Sequence, residues 1–211
     1  MHGVAMSAAV FAVVGSLVAA CGSPNAALTA RASAAVTALA PVSGNTAGHN
    51  RQDVMFAERM TLHDRETVAL AMLVPGRAFS DQVKGIAAQI EVAQMAQIKT
   101  MSGWLTTWGA KVPGTKVPGA KSNSLERGLP GSISGTDLQH FARLHSTVFD
   151  RAYLQTMIKH LHGAISMAKD ERVHGAYTPA KHLATSIIST QSAQMETMRR
   201  LQAMSVEQGH A

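Results

Sequence analysis

Between residues 53 and 72 the side chains Val54, Ala57, Met60, His63, Thr67, Ala71 and Met72 recur at steps of three and four. That period lines one face of an amphipathic helix. Pro75-Gly76 breaks the pattern, and Ser80 is placed to cap a second helix. The second stripe runs Val83, Ile86, Ile90, Gln94, Met101, Leu105 and Trp108, and Gly109 ends it. After a stretch rich in Pro, Gly, Ser and Lys, Thr136-Asp137 caps a short helical pattern over Leu138, Phe141, Leu144 and Val148. A third long stripe, Phe149, Tyr153, Met157, His160, Ala164 and Met167, breaks between Val173 and Pro179. The last carries Leu183, Ile187, Gln191, Met195, Met198 and Leu201. Aromatics are only 4% of the chain, and its Ala, Met and Gln favour helix over strand, so pattern and composition both predict an all-α fold.

A shift of 97 residues lays the second half on the first without a gap. Asp53 meets Asp150, Phe56 meets Tyr153, Met60 meets Met157 and His63 meets His160. Farther on, Ile90 meets Ile187, Gln94 meets Gln191 and Met101 meets Met198. A constant offset predicts duplication of one two-helix unit. Helices joined by short connections pack as neighbours, so hairpins over residues 49–109 and 136–208 predict a four-helix bundle forming one domain. Residues 110–135, with their Lys-Val-Pro-Gly doublet, form a helix-free crossover. Its Lys111, Lys116, Lys121 and Arg127 supply much of the net charge of +6. No dense Lys/Arg run accompanies that charge, so nucleic-acid binding is not expected.

Residues 4–20 are almost wholly apolar or small and end in Val18-Ala19-Ala20-Cys21. The run predicts a secretory signal over residues 1–20, too short for a membrane-spanning helix. Its end resembles a bacterial lipobox, which makes Cys21 the lipidated first residue of an exported chain held at the membrane. Cys21 is also the single cysteine, so no intrachain disulfide or cysteine-based metal cluster can form. Residues 21–48, rich in Ala, Ser, Thr and Gly, read as a flexible tether.

Two Met-x-x-His units carry the candidate chemistry, Met60 with His63 and Met157 with His160. A three-residue step on a helix puts thioether and imidazole on one face. Duplication puts the two units at equivalent places, able to meet across the interior, and Met101 and Met198 are equivalent on the partner helices. Thioether with imidazole suits copper better than zinc, and Met needs no deprotonation. Against this, Met at helical spacing is usually core filler and a His on an apolar face is usually hydrogen-bonded. Gln94 and Gln191 could partner the histidines or be solvated. Asp53 and Asp150 most simply favour the helix dipole. Matched Glu-x-x-His motifs are absent, so a carboxylate-bridged di-iron site is not expected. No phosphate-binding loop or nucleophile elbow appears either.

Met60-Thr-Leu-His-Asp64, Ile90 to Met101 with Trp104-Leu105, and Met157-Ile-Lys-His160-Leu-His162 with Met167-Ala168 resemble the signature of bacterial domain-of-unknown-function family 305. The resemblance covers residues 50 to 204. It implies a ferritin-like four-helix bundle, exported and associated with copper through His and Met. Position by position it implies Met60, His63, Met157 and His160 as ligands, with His162, Met101, Met167 and Met198 behind them. The chain departs from the family where an adjacent His pair becomes His63-Asp64 and His160-Leu161-His162. A Met-Pro-Gly-Met segment becomes Leu129-Pro-Gly-Ser132. The expected protein is a lipid-anchored copper binder of the cell envelope, sequestering or carrying the ion without catalysis. Its rival is a structural or protein-interaction bundle whose Met and His are core.

Overall fold

The computed structural model describes residues 48–114 and 128–208. The predicted signal, Cys21, almost all of the tether, and Lys116, Lys121 and Arg127 of the crossover lie outside them. The described chain is all-helical: α1 (Arg51–Ala71), α2 (Asp81–Thr107), α3 (Gly135–Phe141), α4 (Ser146–His174) and α5 (Thr178–Gln208). None of these helices is long and apolar enough to cross a membrane.

Local sequence sets the boundaries. The Asn50 side chain accepts from the Asp53 amide while Asp53 accepts from the Asn50 amide, a reciprocal box that starts α1. Ser80 caps α2 as its position predicts. Trp108 closes α2, and Gly109 follows at φ 67°, a left-handed turn suited to glycine. The short helix departs from expectation. Ser134, not Thr136, caps α3, and the helix stops at Phe141. Val148, expected on its apolar face, lies on α4 and is 58% exposed. Met72, expected on the buried stripe of α1, is its C-cap and is 67% exposed. Its place on the inner face is taken by Leu70 and Val74, both buried.

The main packing joins α1 to α2 and α4 to α5, and α1 also lies against α4. The 97-residue correspondence extends to how these pairs interlock. Asp53, in the first turn of α1, accepts from the Ala176 and Tyr177 amides just before α5. Asp150, just past the first turn of α4, accepts from the Phe79 and Ser80 amides just before α2. Phe79 and Ser80 are the 97-residue counterparts of Ala176 and Tyr177. Each first helix thus ties down the start of the other pair's second helix.

Two apolar clusters follow the same exchange. One joins Leu70, Val83 and Ile90 of the first half to Tyr153, Met157 and Met198 of the second. The other joins Phe56, Met60 and Met101 to Met167, Leu183 and Ile187. The clusters swap repeat-equivalent residues almost one for one. Polar side chains at the middle of α1 and α4 lie between them.

Candidate metal centre

His63 and His160 occupy the centre of this exchange. Their helices deliver them from equivalent positions, and their rings stack with centroids 3.6 Å apart and planes 18° from parallel. Both residues are fully buried, as are Thr61, Asp64 and Thr67 on the same stretch of α1.

The two imidazoles differ in their partners. His160 Nδ1 lies 2.9 Å from the Gly131 carbonyl, an obligate acceptor. Nε2 lies 2.7 Å from the Thr67 hydroxyl, which itself donates to the His63 carbonyl at 3.3 Å. The His63 carbonyl lies 3.1 Å from the same nitrogen. Neither ring nitrogen of His63 has a hydrogen-bond partner among the described residues. The Pro130 and His160 carbonyls come close enough to favour its protonated form slightly, short of hydrogen-bond geometry.

Burial decides the charge of this layer. It holds His160 down at about 4 against the Gly131 and His63 carbonyls, which pull the other way. His63 is held well below the ordinary range by burial first and by His160 second. The Asp64 carboxyl, with no partner among the described residues, is pushed well above the usual range by burial alone. At neutral pH the layer therefore holds two neutral imidazoles, and burial favours the protonated form of the carboxyl beside them.

Stacking restricts coordination. An imidazole nitrogen's lone pair lies in the ring plane. An ion in the plane of one ring, about 2 Å from its nitrogen, sits roughly 3 Å out of the plane of the other. The pair as it stands cannot share one ion. His63, with both nitrogens unpaired, is the ring able to take one without first losing a hydrogen bond. Among the described residues no group of three or more His, Cys, Asp or Glu side chains forms a cage. The thioethers on the same helices are the soft ligands left to consider. Met60 and Met157, one turn before each histidine, are fully buried, as are Met101 and Met198. Met167 is buried in the cluster that holds Met60 and Met101.

His162 lies on the exposed side of α4 and does not join the pair. Gln94 and Gln191 are buried, yet neither amide has a partner among the described residues, so they do not hydrogen-bond the histidines. Spacing alone does not single out Asp64, Thr67 or Gly131. The usable signals were the four-residue step from His63 to Thr67 and the Pro-Gly pair ahead of α3.

Leu129–Ile133 covers the layer from outside the helices. Leu129 is buried in one apolar cluster and Ile133 in the other. Gly131, at φ 74°, turns the strand of chain between them so that its carbonyl meets His160. Glu66 Oε1 accepts from the Ser132 hydroxyl at 2.8 Å, and Oε2 accepts from the Ile133 amide at 2.7 Å.

An all-helical fold of two matched halves, closing on a buried histidine pair flanked by methionines, defines the class of protein. The chain belongs to the family described as domain of unknown function DUF305, whose model matches residues 53–202. It resembles a putative secreted DUF305 protein from Streptomyces coelicolor at 25% identity and a TM-score of 0.65, over 73% of this chain and 92% of that one. A DUF305 fragment from Deinococcus radiodurans gives 24%, 0.63, 74% and 97%. CopM in its Cu(I)-bound form gives 25%, 0.57, 71% and 94%. No curated protein matches the chain.

Proposed function

We propose that this protein binds copper at the cell envelope, for sequestration or carriage and not for catalysis. The observation that carries the reading is His63: a fully buried imidazole whose two nitrogens have no hydrogen-bond partner among the described residues. A buried polar group left unpaired is costly, so its retention calls for a ligand or a function. Met60 on the same helix face, and Met157 beside the stacked partner ring, offer thioethers of the kind that suits Cu(I). Met101, Met167 and Met198 stand behind them. CopM, which shares the fold, is known in a Cu(I)-bound form. The scaffold in this reading is a ferritin-like four-helix bundle made by duplication of a hairpin. The chain is exported and anchored by a lipid on Cys21, and the Streptomyces relative is described as secreted.

A second reading has its own support. Both nitrogens of His160 are engaged within the protein, as in a purely structural core histidine. In that reading the protein is a non-catalytic scaffold that meets a protein partner through its basic crossover.

Titration with Cu(I) and with Cu(II), beside His63→Ala and His160→Ala, separates the two. Copper binding lost in His63→Ala at unchanged helicity supports the copper reading. Binding equal in parent and both variants, or none in the parent, leaves the scaffold.

A further inference from the structure

Both imidazoles are fully buried, so an ion reaching His63 must first uncover it. The helices around the pair are fused by two apolar clusters and cannot part without unpacking them. The remaining cover, Leu129–Ile133, belongs to no helix and follows Gly128, itself at φ 98°. Pro130, near its middle, is exposed to solvent.

The two halves diverge where this segment crosses them. Glu66 and Gly163 are repeat-equivalent, 97 residues apart, so duplication started them as the same residue. On α1 the position is now a carboxylate that grips Ser132 and Ile133. On α4 it is a glycine, and any Cβ there would overlap the Pro130 carbonyl and crowd the Gly131 amide. One copy holds the segment and the other makes room for it. The segment also touches the covered pair directly, since the Gly131 carbonyl lies 2.9 Å from His160 Nδ1.

We propose that Leu129–Ile133 is a gate over the His63–His160 pair, latched by Glu66 and seated on Gly163, which opens to admit a soft metal ion. The ion's identity rests on the copper reading above; the gate itself rests on the contacts just described. Opening breaks the two bonds to Glu66 and the one to His160, which frees His160 Nδ1 and lets the stacked rings separate. Leu129 and Ile133, held in the clusters at either end, return the segment to its place.

The test is labelling of the intact, metal-free protein with diethyl pyrocarbonate, which reacts with accessible neutral imidazoles. Peptide mass spectrometry reads each histidine, and the exposed His162 and His182 serve as internal references. Glu66→Ala removes the latch and Gly163→Ala lifts Pro130 from its seat. Both are expected to speed labelling of His63 and His160 by about tenfold or more, with the references unchanged, from the loss of charge-assisted hydrogen bonds or of the seat. Cu(I) association, followed by stopped flow, is expected to quicken in parallel. Where Glu66→Ala lowers helicity, Ser132→Ala removes one latch bond and carries a rise of about threefold. Unchanged labelling in folded variants overturns the gate, even where the parent binds copper. Faster labelling in a protein that takes up no copper supports the gate and overturns the copper reading.

Discussion

His63 and His160 stand 97 residues apart at matching places in the two halves, yet one is unpaired and the other bonded at both nitrogens. The asymmetry comes from their surroundings: Thr67 on α1 faces His160, while its counterpart on α4 is Ala164. That the two rings meet was legible in the 97-residue offset and the helical step. That they stack was not, because spacing fixes which face a side chain leaves from and says nothing of its ring rotation. The same limit applies to Gln94 and Gln191, whose burial followed from the stripe but whose missing partners did not. These two amides yield a prediction at this scale. A buried amide with no partner is destabilising relative to an apolar side chain of similar size. Gln94→Leu and Gln191→Leu are each expected to raise stability by about 1–2 kcal/mol, read as a shift in urea midpoint at unchanged slope. A loss of stability in either variant would show that its amide has a partner and contradict the geometry.

At the scale of elements, caps and stops were the most readable features. Ser80, Gly109 and the break before Pro179 bound helices where their chemistry requires it. The short helix was harder, because Ser134, Thr136 and Asp137 all carry capping side chains and only the fold selects among them. Asp53 was legible as a helix-start acid, whereas Asp150 falls beyond the first turn of α4, and the main partners of both lie about 70 to 124 residues away in sequence. Such long-range acceptors leave no periodic trace. They make a clear stability prediction. Asp53→Ala orphans the Asn50, Ala176 and Tyr177 amides and is expected to cost about 2–4 kcal/mol. Asp150→Ala orphans those of Phe79 and Ser80 and is expected to cost about 1–3 kcal/mol. The two sites lie at opposite ends of α1 and share no partner, so the double variant is expected to lose the sum. Chemical denaturation of the four proteins checks this, and a double variant no worse than Asp53→Ala alone would mean that the ends are not independent anchors.

For the molecule as a whole, buried ionisable groups set how stability varies with pH. Glu171, fully buried near the end of α4, is packed against Asp53 and pushed up to about 8, by burial first and then by that carboxylate. Asp53 stays ionised: burial opposes this, but the Asn50, Tyr177 and Ala176 amides and the neighbouring Glu171 carboxyl outweigh it. One proton is thus held between the two carboxyls in the folded state. In the unfolded chain Glu171 returns to about 4.5, so the folded state binds this proton more tightly. Its contribution is fully present below about pH 4.5 and is lost as pH rises through about 8. The histidine pair acts in the opposite sense. His160 falls from 6.5 to about 4 on folding, so its contribution is present above 6.5 and lost as pH falls toward 4. Together these groups place the stability maximum on the mildly acidic side of neutrality. Melting temperatures followed by circular dichroism from pH 4 to 9 are expected to fall on both sides of that maximum. In Glu171→Gln the decline on the alkaline side is expected to flatten, since an amide has no carboxyl proton to lose. An alkaline decline equally steep in Glu171→Gln would mean that the proton shared at the α4–α1 junction is not what the folded state loses.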